Sequence, residues 1–374
     1  MTAHGVATRA SQANIRPFAN ITACALRTPL GSSPDENWQS IVNDRRELRR
    51  SEVIPGVDEA LARRFPNQAG LYGLDRVIKI ALLAASDALD KTAQPELTDT
   101  DGLFIATSKG PVQTLIRALG NPSGVSASDA AQITLGPAAI GYYLRQQLGT
   151  PEMVHTSVAA CAGSLAAAAR AYEALIMSRH RRAIVVAADS SIHPLFDASF
   201  SRLGILAPAD EGGNRQCRPF DPAGRGFFIT EAAAAMVLEN MPGENLRVEG
   251  TWLGGDATDL LATDSDAKSL KRGIRTLAGE AGMDFVHAHA TGTRHDAHEL
   301  AAIATLGPTY VFSHKRFLGH CLGASGLVGL VLSAMCHRHQ TTLEGDSLPC
   351  RSTSLTLAQG FGGHIGAVRL GYGD

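Results

Sequence analysis

The sequence predicts an α/β protein made of two similar halves, and three observations predict it. Short β-branched segments such as RRAIVVAADSS (181–191) alternate with longer ones whose apolar residues recur at helical spacing, such as LDRVIKIALLAASDALDK (74–91). Two stretches, CAGSLAAAARAYEAL (161–175) and HCLGASGLVGLVLSA (320–334), are helices so rich in Gly, Ala and Leu that they lack a wide polar face. Such helices are buried on nearly all sides. Each follows a strand-like segment and is opened by a residue with reactive chemistry, Cys161 and His320. An internal duplication that aims both helices at one shared site explains the pairing. So does an ordinary α/β protein that has two such helices, and the pattern alone leaves both readings open.

In chain order, residues 1–17 read as a flexible leader, and ANITACALRTPLG (19–31) as a strand ending in a Pro/Gly turn. The helix over 74–91 precedes a short buried strand, DGLFIATSKG (101–110). The segment 130–149 is a helix broken by Gly136-Pro137, and EMVHTSV (152–158) is the strand that leads to Cys161. After the Cys161 helix come the strand in 181–191 and a loop with a buried strand in FDPAGRGFFITEAAAAMVLEN (220–240). From about Leu246 the pattern resumes: the strand RVEGTWLGG, a helix over 265–282, the strands DFVHAHATGT and TYVFSHK, the His320 helix, and the closing LTLAQGFGGHIGAVRLG. The halves are then 18–245 and 246–374.

Composition narrows the function. The 374 residues carry a net charge of -2, which gives no global attraction to nucleic acid or membrane. The first residues lack the apolar core of a secretory signal, and no apolar run approaches the roughly 20 residues that span a bilayer. Six cysteines are scattered without CxxC pairs, so neither a disulfide framework nor a zinc ribbon is indicated. A reduced, cytoplasmic protein is expected.

Cys161 is the first candidate for chemistry. At a helix N-terminus the macrodipole favours thiolate over thiol, which would make it a nucleophile without a dedicated base. His289 lies where a strand runs into a Thr/Gly turn, and His287, two residues away, is expected on the same face. Lys315 precedes His320 by five residues. Cys336, His337 and His339 could form a metal cluster, but a solvated helix end is the plainer reading. Gly360-Phe361-Gly362-Gly363-His364 is a tight glycine turn.

The ordered set of Cys161, His289 in HATGT, Lys315 and His320 in K-x3-GH-x2-GASG, and GFGG near the C-terminus resembles the β-ketoacyl synthases, elongating condensing enzymes of fatty-acid and polyketide assembly. The segment CRPFDPAGRGFFITE and the acidic pair Asp296-x-x-Glu299 extend the resemblance, which covers roughly residues 18 to 372. Some positions depart from the family pattern: Ala159 before the Ala-Cys, HATGT for HGTGT, ITEAA in the acidic segment, and His364 after GFGG.

The resemblance implies a five-layered αβαβα thiolase-like duplication that dimerises, and a decarboxylating Claisen condensation without cofactor or metal. Cys161 would take an acyl group from acyl carrier protein or coenzyme A, and malonyl-carrier protein would then lose carbon dioxide and attack the thioester. His289 and His320 would donate hydrogen bonds to the malonyl thioester oxygen. The backbone N–H groups of Cys161 and Phe361 would form the oxyanion hole, with Gly360, Gly362 and Gly363 allowing close approach and Phe361 gating entry. Lys315 and Glu299 would support the histidines, while Asp296 would tether a loop. The competing reading is a non-condensing chain-length subunit that partners a related ketosynthase. Acidic carrier proteins call for a basic rim, for which Arg45, Arg46, Arg49 and Arg50, or Arg179, Arg181 and Arg182, are candidates.

Overall fold

The structure, a computed structural model, describes residues 18–43, 52–241, 245–256, 258–261 and 263–373. The leader expected over 1–17 and the cluster Arg45, Arg46, Arg49 and Arg50 lie outside the described residues.

Among the described residues ten strands form a single sheet. They are β1 (Ala19–Arg27), β2 (Asp101–Ala106), β3 (Met153–Ser157), β4 (Arg182–Asp189) and β5 (Ala232–Glu239). The second set is β6 (Leu246–Gly255), β7 (Phe285–His287), β8 (Tyr310–Phe312), β9 (Ser354–Gly360) and β10 (His364–Tyr372). Their spatial order is β3-β2-β4-β5-β1-β6-β10-β9-β7-β8. Read outward-to-centre, the first five run 3-2-4-5-1. The last five, renumbered from β6, run 3-2-4-5-1 as well. The pairing matches too: β2 is parallel to β3 and β4, and β7 is parallel to β8 and β9. The remaining pairs, β4–β5, β5–β1, β9–β10 and β10–β6, are antiparallel. Of the two readings of the buried helices, the duplication is the one the fold shows. Among the described residues the two sets pair only where Ala19 and Asn20 meet Val248 and Arg247.

The helices occupy three layers, so that with the two sheet halves the molecule has five. Helix Arg76–Leu89 covers the outer face of the first half, and Lys268–Ala278 that of the second. Between the halves lie Gly163–Ile176 and Ser325–His339, which occupy equivalent places after β3 and β8. Their Ala, Leu and Val side chains join β4, β5 and β10 in the central core. Close approach is set by Gly326, where an added Cβ would lie 2.7 Å from Leu165 Cγ, and by Ser164 Oγ, which accepts from Leu327 N–H at 3.0 Å. Covered on both faces, β4 and β5 can be almost continuously apolar instead of alternating.

Local signals placed the elements well. The helix expected over 74–91 spans Arg76–Leu89, with Asp75 capping it by accepting from Val77 N–H at 3.1 Å. Gly136-Pro137 divides 130–149 as expected, into Ala127–Leu135 and Ala138–Leu148. Two expectations change. The strand in 284–293 stops at His287, and the last buried helix starts at Ser325, five residues beyond His320.

Candidate active site

Open parallel sheets expose their loops at the carboxyl ends of the strands, and the candidate residues all arrive there. β3 leads to Cys161, β7 to His289, and β8 to Lys315 and His320. Because β3 and β8 are equivalent strands in the two repeats, Cys161 and His320 converge from matching positions.

Cys161 lies on a sharp bend. Ala160 before it has φ 45°, in the left-handed region that disfavours a side chain, and helix Gly163–Ile176 begins two residues later. The expected macrodipole effect does not prevail. Burial pushes the Cys161 thiol up to about 11, against a lowering influence from Lys315 and Lys109. Nor is the cysteine without a base: His320 Nε2 lies 3.1 Å from its Sγ. A buried thiol beside a neutral imidazole is activated by proton transfer when substrate arrives.

The backbone of His320 is clamped by the FFITE segment. Its N–H donates to Phe228 O at 2.8 Å and its carbonyl accepts from Thr230 N–H at 3.2 Å. The Phe227 ring meets the imidazole edge-on, with centroids 4.7 Å apart, and Nδ1 lies 3.0 Å from Ser325 Oγ. His289 stands beside it, ring centroid to ring centroid 5.4 Å. Burial holds both imidazoles well below the ordinary histidine range, with Lys315 pushing the same way, so both are neutral.

The supporting residues act on backbone. Glu299 accepts from His289 N–H at 2.8 Å and Ala290 N–H at 2.7 Å, while Lys315 Nζ donates to the His289 carbonyl. One peptide on each side of His289 is thus gripped by a buried charge-bearing group. Burial raises Glu299 to about 7 and lowers Lys315. Asp296 accepts from Thr291, Gly292 and Thr293 N–H and from Phe220 N–H, so it ties the HATGT turn to the FDP loop.

Cys161, His289, His320, Asp296, Glu299, Gly360, Phe361 and Gly363 all line one cavity of about 710 Å³. Phe361 is half-buried at its wall, and Lys315 lies behind it, 1% exposed. An added Cβ on Gly360 would stand 2.7 Å from Ala159 O and 3.0 Å from Cys161 N, so only glycine lets this strand end touch the backbone at Cys161. Gly362 and Gly363 turn the chain with φ of 80° and 78°. Gly362 itself does not line the cavity.

Several expectations are corrected. His287 does not share the surroundings of His289. It points into the core against His314 and Ser333, because the strand ends before the second histidine. Cys336, His337 and His339 form no cluster, and only His339 is exposed at the helix end as the solvated reading expects. Cys336 is buried, His337 bonds Ser352 and Ser354 at 2.8 Å each, and His339 stacks on Trp38. Among the described residues no group of three or more His, Cys, Asp or Glu is placed to hold a metal ion. Arg182 is not a docking residue: it is buried and bidentate to Asp101, at 2.6 and 3.1 Å. Arg179 and Arg181 are exposed but sit at the amino end of β4. That is about 23 Å from Asp189 at its carboxyl end, given ~3.3 Å per strand residue.

Sequence reasoning missed Asp189, which accepts from Ser108 N–H at 2.9 Å and Gly323 N–H at 3.2 Å and so ties the two repeats beside the site. It also missed His314, which meets His287 from 27 residues away, and Ser325, which stands between His320 and His314. The polar end of RRAIVVAADSS was the available signal for Asp189.

Comparison with known proteins agrees with this geometry. The profile of the "Beta-ketoacyl synthase, N-terminal domain" matches residues 54–242, and that of the "Beta-ketoacyl synthase, C-terminal domain" matches 247–344. The chain is similar to 3-oxoacyl-(acyl-carrier-protein) synthase 2 of Mycobacterium tuberculosis, 25% identical over 411 residues, covering 95% of this chain and 97% of that protein. In fold it is similar to the ishigamide ketosynthase/chain length factor, with TM-score 0.80, 20% identity, and 96% and 100% of the two chains covered. It is likewise similar to a β-ketoacyl synthase from Burkholderia phymatum, with TM-score 0.79, 19% identity, and 96% and 100% covered. Two matched profiles in sequence order, across a duplicated five-layer fold with cysteine and histidine at its centre, place the chain in the β-ketoacyl synthase family.

Proposed function

We propose that this condensing enzyme elongates an acyl thioester held on Cys161 with a malonyl unit delivered by acyl carrier protein, without cofactor or metal. The observation that carries the reading is the 3.1 Å contact between Cys161 Sγ and His320 Nε2 in the cavity that His289 also lines.

In the first half-reaction the Cys161 S–H proton passes to His320 Nε2 and the thiolate attacks the incoming thioester carbonyl. The new C–S bond forms, the carrier's C–S bond breaks, and the departing thiolate recovers the proton from His320. The N–H groups of Cys161 and Phe361 receive the transient oxyanion, a role in which one donor contributes about 3–4 kcal/mol. In the second half-reaction the malonyl carboxylate leaves as carbon dioxide and its electron pair becomes an enolate. The enolate carbon attacks the acyl-Cys161 carbonyl, a C–C bond forms, the Cys161 C–S bond breaks, and the thiolate takes a proton from water.

The sequence expectation gave both histidines the same donor role. The geometry favours a division of labour. Among the described residues His289 Nδ1 is buried without a partner, and a buried lone pair is tolerated better than an orphaned N–H, which puts the His289 proton on Nε2. His289 is then the donor to the enolate oxygen, with Glu299 and Lys315 holding its backbone in place.

At the cavity mouth Arg225 and Arg294 are exposed, beside Leu260, which is 73% exposed. These cations, rather than Arg179 and Arg181, are the basic rim for an acidic carrier protein. A second ketosynthase chain, identical or related, fits the open edge of the sheet. β3 ends the sheet there, with Val154 and Val158 exposed, and such an edge calls for cover. The Cys161–His320 contact favours the condensing reading over that of a non-condensing chain-length subunit.

The test is the intact mass of the protein after incubation with a panel of acyl-carrier proteins, with Cys161→Ala alongside. An acyl adduct present in the wild type and absent in the variant is the expected result. An adduct that persists in Cys161→Ala, or none with any acyl group, overturns the reading.

A further inference from the structure

Behind the candidate site runs a continuous row of buried polar side chains, of which the chemistry above uses only the first two, Cys161 and His320. From Cys161 it passes to His320 Nε2 at 3.1 Å, then from His320 Nδ1 to Ser325 Oγ at 3.0 Å and on to His314 Nε2 at 3.4 Å. His314 Nδ1 lies 2.8 Å from His287 Nε2, His287 Nδ1 lies 3.1 Å from Ser333 Oγ, and Ser333 Oγ lies 3.0 Å from Thr356 Oγ1. Every member beyond Cys161 is at most 2% exposed. Burial holds His287 down to about 3 and puts His314 and His320 well below their ordinary range, so the three imidazoles are neutral and each carries one N–H. The titratable groups facing the row are Lys315, Lys109, His289 and Asp189.

The direction of this row is not free, because one link involves the backbone. The His314 backbone N–H, whose hydrogen cannot be moved, donates to His287 Nε2 at 3.2 Å. His287 Nε2 is therefore a lone pair, and the His287 proton is on Nδ1, donated to Ser333. His314 Nδ1 faces that same lone pair, so it carries a proton and His314 Nε2 does not. Ser325 must then donate its hydroxyl hydrogen to His314 Nε2, and its oxygen accepts from His320 Nδ1–H. That leaves His320 Nε2 as a lone pair aimed at the Cys161 thiol. Each step follows because two facing lone pairs, or two facing hydrogens, would leave a buried polar group unsatisfied.

We infer that Ser325, His314 and His287 are positioning residues that lock His320 in the Nδ1–H tautomer, so that it accepts the Cys161 proton while His289, in the opposite tautomer, donates. The inference rests on the reading of Cys161 as the acyl acceptor. It adds the reason why two adjacent neutral histidines would do different work: the polarity of one is imposed from a peptide N–H through three side chains. The three residues do not line the cavity and touch no substrate.

The tautomers are read directly by nitrogen-15 NMR of the full-length protein labelled at histidine, with His287→Gln, His314→Gln and His320→Gln used for assignment. The expected result is a pyridine-like Nε2 and a pyrrole-like Nδ1 for His320. The reverse pattern in the folded wild type overturns the inference. His314→Leu removes the acceptor for Ser325, whose hydroxyl then turns to His320 Nδ1. This variant is expected to put the proton on His320 Nε2 and slow acylation of Cys161 by about 100-fold, the scale of a lost general base. His314→Gln retains an acceptor oxygen and is expected to restore most of the rate. A His314→Leu variant that melts like the wild type and acylates at the wild-type rate also overturns it. Should the wild type form no acyl adduct, the condensing reading fails, while the NMR pattern still decides the tautomer.

Discussion

Behind Cys161 the first repeat places Leu103, Phe104 and Ile105 on β2 and a helix whose buried side chains are mostly Ala and Leu, with Ser164 the buried hydroxyl among them. On the corresponding elements behind His320 the second repeat places His287 on β7, Ser325 and Ser333 on the helix, and Thr356 on β9. The connections differ as well. Five residues separate the end of β3 from the helix at Gly163, whereas twelve, 313–324, separate β8 from the helix at Ser325. The short connection makes a bend that fixes one sulfur. The long one carries Lys315 and His320 and contacts the FFITE and HATGT segments. One topology thus supports two kinds of interior: a largely apolar one behind Cys161, and a hydrogen-bonded one behind His320.

The contrast can be broken first at the nucleophile. Cys161→Ala is expected to leave the fold intact and abolish turnover, a loss on the order of a million-fold, measured as carrier-bound product. Next in size is the buried pair that anchors the far end of the first repeat. Arg182→Ala strands the Asp101 charge and is expected to cost about 3–5 kcal/mol in a denaturant melt, without slowing acylation of the folded protein. Normal stability would return Arg182 to the surface and to the docking reading.

The division between the histidines is sharpened by single-turnover assays. His289→Ala should reduce condensation by about 10²–10³-fold with acyl transfer nearly unchanged. Equal damage to both half-reactions would erase the division. Glu299 gives a pH signature. Its folded carboxyl titrates near 7 instead of the 4.5 of the free group, so between those values the folded state holds a proton that the unfolded chain has lost. Stability should fall as pH rises from about 4.5 to about 7 and level above that, and Glu299→Gln should flatten the slope. The smallest effect is at the mouth. Arg225→Glu with Arg294→Glu should raise KM for the carrier-bound substrate by about tenfold or less, more at low salt, with kcat little changed.

Periodicity and punctuation made much of this legible. Gly136-Pro137 and the Gly/Ala-rich run after Cys161 act through local sterics and burial, so the helices they mark came out close to where expected. The motif residues Cys161, His289, His320 and Glu299 were legible one by one, and the structure places them around one cavity. The histidine row was not, because His287, His314 and Ser333 are scattered over a strand, a loop and a helix and carry no spacing signal. His287 looked like a neighbour of His289 only while the strand was thought to continue past it. Arg182 looked like part of a surface cluster because Asp101, 81 residues away, is silent about its partner.

The sequence by itself determined the alternation of strands and helices, the duplication's two buried helices and the residue types that could react, because backbone conformation and burial follow short-range pattern. Only the tertiary structure decided the state of those residues. Burial, not the helix end, sets the Cys161 thiol, and packing against the Phe227–Thr230 segment holds His320 beside it, 159 residues away in sequence. Desolvation and hydrogen-bond direction are properties of packed neighbours, which a linear pattern does not specify.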